Sequence, residues 1–203
     1  MAVAEPQADV PGVTRPMTYE EYLASPEEMA RYDILDGWKV YRLYGEQQLP
    51  NPTIRHQEIV GNILSALRAY AREQQRGLAV VAPCDVRIQK RPARTRQPDV
   101  LFISRARFGD RSLDTAAPLE PAPELVVEVL SPSDTPAVLA AKLADYQAVN
   151  VQEAWVVRAG TQSVDIVRLT AEGTQIVATY VIGEMLQSEA LPQLSVSVTD
   201  IFA

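Results

Sequence analysis

Cysteine and histidine are almost absent from this 203-residue chain, which has one of each, Cys84 and His56. A lone cysteine excludes an intrachain disulfide framework and a multi-thiolate metal site, so we expect a reducing compartment and a cytoplasmic location. No apolar run approaches the roughly 18 residues that a membrane helix needs, so no membrane partner is expected. The first residues lack the basic start and apolar centre of a signal peptide. We expect residues 1–16 to be a disordered lead-in and 17–203 to form a single domain.

The charge is unevenly distributed. A net charge of −7 argues against a nonspecific nucleic-acid coat protein. Between Asp85 and Arg111, however, eight basic residues stand against three acidic ones. This segment is either a solvated loop and strand edge or a surface that faces phosphate, and both interpretations stay open. The candidate nucleic-acid-binding residues are Arg87, Lys90, Arg91, Arg94 and Arg96.

The first half of the chain carries clear signals for helices and a hairpin. Thr18-Tyr19-Glu20-Glu21 has the spacing of a capping box and predicts a helix to about Met29. Asp36-Gly37 between two β-rich runs, 32–35 and 38–43, predicts a hairpin. Apolar residues at helical spacing predict a long helix from about Thr53 to Arg76, with Gly77 at its C-cap.

The second half alternates strands with one helix. Strands are predicted at about 79–88, 98–103 and 124–130, with a flexible loop over 104–123. Thr135-Pro136 begins another helix, and three more strands follow at 154–158, 163–169 and 175–181. This order predicts an α/β (α+β) fold, with a mixed central β-sheet flanked by helices.

Two carboxylates occupy unusual positions in this pattern. Glu128 lies in the middle of the apolar run Leu125–Leu130, and Asp99 opens the apolar run that ends at Ile103. A buried carboxylate is costly unless a cation or hydrogen-bond donors meet it. Two such strands can converge on Mg²⁺ or Mn²⁺, which would neutralise a scissile phosphate and acidify water. A buried ion pair with an arginine is the alternative.

Three further residues are candidates for the same site, each with an ordinary alternative. Lys142, on the helix after Glu128, could stabilise transition-state charge or be a solvated helix lysine. His56 begins the long helix, where a neutral ring is favoured, but a surface histidine would look the same. Asp33 could add a third carboxylate or be a solvated acid near a turn. Cys84 has no evident base partner and is interpreted as structural.

Seven segments, in order over about residues 17–170, together resemble one family of proteins. They are 17–22, 31–37, His56 with Ile59, 98–100, 123–133, Lys142 with Tyr146, and Val151 with 153–157. The chain resembles the Uma2-type restriction-endonuclease family, within the PD-(D/E)xK nuclease superfamily.

The resemblance implies a restriction-endonuclease-like fold and hydrolysis of nucleic-acid phosphodiesters by Asp99, Glu128, Lys142, His56 and Asp33. It implies a metal bound by Asp99 and Glu128. The superfamily usually places its lysine two residues after the glutamate, where this chain has Leu130, so Lys142 is the match. Asp33 replaces the family's glutamate with a side chain one methylene shorter. We expect DNA as the partner, and RNA and a homodimer stay open. Two alternative functions also stay open: a non-catalytic module that binds nucleic acid or protein, and an inert scaffold.

Overall fold

A six-stranded sheet forms the centre of the computed structural model, which describes residues 15–26, 32–41, 53–114, 119–131 and 134–203. The strands are β3 (Gly77–Val81), β6 (Val100–Ser104), β7 (Leu125–Leu130), β8 (Glu153–Arg158), β9 (Ser163–Thr170) and β10 (Gly173–Val181). Their order is β10-β9-β8-β7-β6-β3, and β7–β8 is the parallel pair, the others being antiparallel. The predicted mixed central sheet is confirmed.

Helices cover both faces of this sheet. Helix α2 (Ile54–Glu73) packs a stripe that includes Ile59, Ile63 and Leu67 against one face. Helix α4 (Pro136–Ala148) packs Leu143 and Tyr146 against the other face. Because α4 connects the parallel strands β7 and β8, it must cross over the sheet, and its buried residues therefore face β7. The predicted cap Thr135 accepts from Val138 N, and Thr53, the predicted start of the long helix, caps it by accepting from His56 N.

Smaller elements surround the central sheet. One hairpin joins β1 (Tyr32–Leu35) to β2 (Trp38–Tyr41), and a second joins β4 (Val86–Gln89) to β5 (Arg94–Arg96). The C-terminal part adds β11 (Met185–Gln187), β12 (Ser195–Ser197) and α5 (Val198–Ile201). Helix α1 (Tyr19–Leu23) and α3 (Arg105–Phe108) complete the set. No helix in the described ranges is long and apolar enough to cross a membrane.

Local turn chemistry explains the first hairpin. Asp36 and Gly37 have φ values of 51° and 84°, as a tight two-residue turn requires. A Cβ at Gly37 would lie 2.6 Å from Pro16 Cβ, so the turn also needs glycine for space. The capping box at Thr18 and Glu21 is confirmed as well.

Several predicted boundaries are wrong. Helix α1 ends at Leu23 rather than near Met29; residues 27–30 lie outside the described ranges, as do residues 1–14 of the expected lead-in. The predicted strand 79–88 is two strands, because the chain leaves the sheet between Val81 and Val86. Gly77 does not cap α2 but begins β3, where a Cβ would collide with the Phe102 ring. Part of the predicted loop 104–123 is α3, capped by Ser104.

Candidate active site

Glu128 is held at both carboxylate oxygens by α4. Lys142 Nζ lies 2.6 Å from Oε2, and the Tyr146 hydroxyl donates to Oε1 at 2.6 Å. Lys142 and Tyr146 are four residues apart and therefore share one helix face. Glu128 is 2% exposed, Lys142 5% and Tyr146 0%. The buried charge of the glutamate thus has a cation and a hydroxyl donor as partners, as burial demands.

Asp99 lies at the point where three strands meet. Its N–H donates to Val127 O at 3.0 Å, and its carbonyl accepts from Ala82 N at 3.0 Å. Its Oδ2 accepts from Val129 N at 2.9 Å. Val100 pairs with Val127 in the β6–β7 register, so Asp99 and Glu128 occupy the next position on these adjacent strands. The structure therefore brings the two predicted carboxylates to neighbouring strands at one end of the sheet.

His56 reaches Asp99 from the other layer. Its Nε2 is 3.5 Å from Asp99 Oδ2, and its side chain is 15% exposed. Its backbone N–H is used by the Thr53 cap, which fixes the first turn of α2. The ring Nδ1 is buried and has no hydrogen-bond partner among the described residues. His56 is thus a half-buried neighbour of Asp99 rather than a surface histidine.

Asp33 joins the site region through Arg96. The distance from Arg96 Nη1 to Asp33 Oδ2 is 3.5 Å, and both side chains are buried. Arg96 also contacts Asp145 Oδ2 through Nε at 2.7 Å and Nη2 at 2.6 Å. Arg94 bridges Asp145 and Asp36, at 2.9 Å and 2.5 Å. This chain of charges ties the first hairpin to α4, next to Tyr146.

The basic segment is more strongly paired than its composition indicates. Arg87 contacts Glu120, Lys90 Nζ lies 3.7 Å from the same carboxylate, and Arg91 Nη2 lies 3.8 Å from Glu20. The side chains of Arg91 and Lys90 are 77% and 53% exposed, whereas that of Arg96 is 7% exposed. The segment therefore divides into exposed cations that a ligand can reach and an interior cation that supports α4.

The ionisation of Tyr146 is displaced by its surroundings. Burial, followed by the negative charge of Glu128, raises the pKa of the Tyr146 hydroxyl well above 10.0. The hydroxyl therefore keeps its proton at neutral pH and stays a donor to Glu128. Burial also raises the pKa of Cys84 to about 11, which leaves a protonated thiol.

The donor set at the end of β6 and β7 suits a hard divalent cation. Mg²⁺ sites commonly use one or two carboxylates, with phosphate and water completing the shell. Asp99 and Glu128 supply that number. Among the described residues, no group of three or more Asp, Glu, His or Cys side chains is arranged to hold a metal. Two carboxylates on neighbouring strands fit a site of the Mg²⁺ type, in which most of the coordination shell comes from outside the protein.

Sequence reasoning missed two acidic residues beside the site. Asp145 pairs with Arg94 and Arg96, which lie 51 and 49 residues earlier in the sequence, so no local sequence pattern could predict these contacts. Asp134 accepts from Ser131 N and Oγ, and its Oδ1 lies 3.8 Å from Lys142 Nζ. Only the short spacing from Ser131 to Asp134 hinted at that turn.

A mixed sheet with an aspartate and a glutamate on adjacent strands and a lysine beside the glutamate is the layout of restriction-endonuclease-like nucleases. The family profile of Uma2, described as "Putative restriction endonuclease", matches residues 19–199. The chain belongs to this family.

A solved structure shares the fold. It is described as a putative nuclease belonging to DUF820 from Anabaena variabilis ATCC 29413. The TM-score is 0.69 and the sequence identity 20%, over 92% of this chain and 98% of that one. At this identity the similarity shows the fold alone. A search among curated proteins gives no match.

Proposed function

We propose that this chain is a metal-dependent endonuclease that hydrolyses phosphodiester bonds in nucleic acid, with Asp99 and Glu128 as ligands of Mg²⁺ or Mn²⁺. The observation that carries the proposal is the 2.6 Å contact between Lys142 Nζ and Glu128 Oε2. Leu130 occupies the superfamily's usual lysine position, two residues after Glu128 on the same strand face. Helix α4 supplies the missing cation from across that face.

Each residue has a role that its contacts support. A divalent ion held by Asp99 and Glu128 would neutralise phosphate charge and make a water molecule more acidic. Lys142 carries a buried ammonium that can stabilise negative charge developing on the phosphate, and burial makes such a charge more effective. His56 lies beside Asp99 Oδ2 and assists by orienting that carboxylate. Asp33 acts at a distance, through Arg96.

The exposed cations would hold the nucleic-acid backbone. Arg91 and Lys90 reach solvent, and Arg87 and Lys90 flank the Tyr19 ring at 5.5 Å and 5.8 Å. Phosphate contacts fix position without reading sequence. Arg94 and Arg96 lie on the adjoining strand β5 and support the site from within. The substrate is therefore any phosphodiester chain that these cations can align, with DNA as the first expectation.

The test is cleavage of plasmid DNA, single-stranded DNA and RNA with Mg²⁺, with Mn²⁺ and with chelator. Glu128→Gln should lower cleavage by about two orders of magnitude or more, in the range found for other positioned electrostatic groups. Glu153→Gln is the matched control and should leave cleavage unchanged. Glu153 is also 2% exposed, but it lies at the opposite end of the sheet, at the start of β8. Its carboxylate accepts from Trp155, from Ser188 and from two backbone amides. Cleavage that persists in chelator, or that Glu128→Gln leaves intact, contradicts the proposal.

A second candidate is a binding module that keeps the nuclease fold without turnover. The favouring observation is that both Glu128 oxygens already have partners within the chain, Lys142 and Tyr146. In that case the ion pair itself would neutralise Glu128. Nucleic-acid binding without Mn²⁺ binding and without cleavage would support this candidate.

A further inference from the structure

Helix α4 contacts the Glu128 carboxylate with two chemically different side chains. Lys142 brings a positive charge to Oε2, whereas Tyr146 brings a neutral hydroxyl to Oε1. A flexible lysine stem allows its ammonium to follow a moving carboxylate. A tyrosine ring has only two rotatable torsions, so its hydroxyl position follows directly from how the ring is packed.

The packing of Tyr146 leaves its ring little freedom. It is completely buried and belongs to the α4-side cluster with Leu143, Val126 and Val156. Its backbone carbonyl accepts from Val149 N at 3.3 Å and Val151 N at 3.1 Å, at the end of α4. The preceding residue, Asp145, is held by Arg96. The ring, the helix end and the neighbouring side chain are all fixed, so the hydroxyl is a fixed donor.

We propose that Tyr146 is a positioning residue that sets the rotation of the Glu128 carboxylate and so presents its remaining lone pairs to the divalent cation in a single orientation. This inference rests on the proposed function, since it needs Glu128 to be a ligand. In this role Tyr146 acts through its hydrogen bond to Glu128 Oε1 and not as a ligand of the ion. Hydrogen-bonding partners of metal ligands orient those ligands, and losing one typically weakens metal binding 10–100-fold.

The direct test is Tyr146→Phe, which deletes only the hydroxyl. Mn²⁺ binding is measured by calorimetry without nucleic acid, and cleavage is measured over a range of Mn²⁺ concentrations. The dissociation constant for Mn²⁺ should rise by about 10–100-fold. Because the reacting groups remain, saturating Mn²⁺ should restore much of the turnover. A variant harmed only in its packing would lose stability but keep its Mn²⁺ affinity.

The matched control is Tyr70→Phe. Tyr70 is also a buried helix tyrosine, 6% exposed, and its hydroxyl donates to Pro192 O at 3.1 Å on the opposite face of the sheet. This variant should lose similar stability and bind Mn²⁺ as wild type does. All titrations are run well below the melting temperature of each variant, so that a difference in folding cannot imitate a difference in affinity.

The outcomes separate this inference from the proposed function. If wild type binds Mn²⁺ and cleaves, but Tyr146→Phe binds equally or more tightly, the positioning role is overturned and the nuclease proposal stands. If wild type binds no Mn²⁺, both are overturned. Weaker binding in Tyr146→Phe, with normal binding in Tyr70→Phe, supports the positioning role.

Discussion

Lys142 and Glu128 form an ion pair whose Nζ and Oε2 atoms are 2.6 Å apart, with side chains only 6% and 3% exposed. Both charges have lost most of their hydration, and their attraction must offset that loss. A pair of this kind is not by itself a strong source of stability. Its energetic signature is that removing either charge leaves the other buried without a partner, which lowers the free energy of unfolding.

That signature gives a stability prediction. Lys142→Met should lower the free energy of unfolding by about 3–5 kcal/mol, because it leaves a buried carboxylate without its cation. Adding Glu128→Gln to the same protein should recover most of the loss. Urea unfolding of both single variants and the double variant measures the coupling. Lys39→Met, which removes a cation 4.8 Å above the Tyr32 ring, should cost about 1 kcal/mol or less. If the double variant Lys142→Met/Glu128→Gln is no more stable than Lys142→Met alone, Lys142 and Glu128 are not energetically coupled.

Arg96 should behave as an interior support rather than as a nucleic-acid ligand. Arg96→Met leaves Asp33 and Asp145 without their shared buried partner, so it should destabilise the fold by about 3–5 kcal/mol. Arg91→Met removes an exposed cation 3.8 Å from Glu20 and should change stability by less than about 1 kcal/mol. Thermal and urea unfolding compare the two. Equal stability of both variants would show that the Arg96 network does not hold α4.

The sequence predicted the central fold because its signals were local. The Thr18 and Thr135 caps, the Asp36-Gly37 turn and the apolar runs around Glu128 each depend on residues close in the chain. The strands β5, β11 and β12 were missed because each has three residues, too few to show an alternating pattern. Only tertiary pairing stabilises strands this short.

The candidate site likewise contains contacts that local sequence could predict and contacts that it could not. The contact of Lys142 with Glu128 could be anticipated, because a crossover helix packs back on its own strand. Tyr146 lies on the same helix face as Lys142 because the two are four residues apart, but its contact with Glu128 was not predicted. In contrast, the Arg96 contacts with Asp33 and Asp145 span long sequence separations, so the composition of the basic segment indicated only a surface patch. The pairing of these charges depends on the fold.

Asp85 gives a prediction about pH. Burial raises the pKa of its carboxyl above 3.8, an effect that hydrogen bonds from Tyr22 and Gln97 oppose. A raised pKa means that protonated Asp85 favours folding below the unfolded pKa, and this contribution is lost as pH rises through the folded pKa. Asp85→Asn cannot ionise. Its melting temperature relative to wild type should therefore rise as the pH increases above about 4, the ordinary carboxyl pKa.

The local structure makes Asp85→Asn a clean substitution. Gln97 Nε2 donates to Asp85 Oδ1 at 3.0 Å, while Gln97 Oε1 is buried with no hydrogen-bond partner in the described part of the chain. Rotation of the Gln97 amide would let Oε1 accept from the new asparagine. Differential scanning calorimetry over the pH range provides the measurement. A difference between variant and wild type that is constant with pH would show that Asp85 does not titrate with folding.

The exposed cations give a prediction about salt. Replacing Arg91 and Lys90 with alanine should weaken binding of unrelated oligonucleotides alike, since these residues have phosphate rather than bases as expected partners. For duplex DNA, the slope of log affinity against log salt should flatten by about 0.9 for each phosphate that the protein no longer neutralises. Fluorescence anisotropy at several salt concentrations measures this slope, and both cations are replaced in the Glu128→Gln background, which is expected not to cleave the oligonucleotides. An unchanged slope would remove these two residues from the interface.

Lys142→Met should lower turnover without weakening Mn²⁺ binding. Tyr146→Phe should do the opposite, weakening Mn²⁺ binding while much of the turnover returns at saturating Mn²⁺. Lys142→Met removes the ammonium that lies 2.6 Å from Glu128 Oε2 and would compete with a bound ion, so Mn²⁺ affinity should stay the same or increase. Turnover should nevertheless fall by about two orders of magnitude or more, because charge developing on the phosphate is left without its positioned partner. Mn²⁺ should also raise the melting temperature of Lys142→Met more than that of wild type, since an ion that binds the folded state stabilises it and here replaces the missing counter-charge.

Three measurements test these three expectations for Lys142→Met. They are calorimetric titration for Mn²⁺ affinity, thermal unfolding with and without Mn²⁺ for stability, and single-turnover cleavage for the rate. A variant that binds Mn²⁺ more weakly than wild type would indicate that Lys142 supports the metal site, and one that cleaves at the wild-type rate would show that its ammonium serves the fold alone.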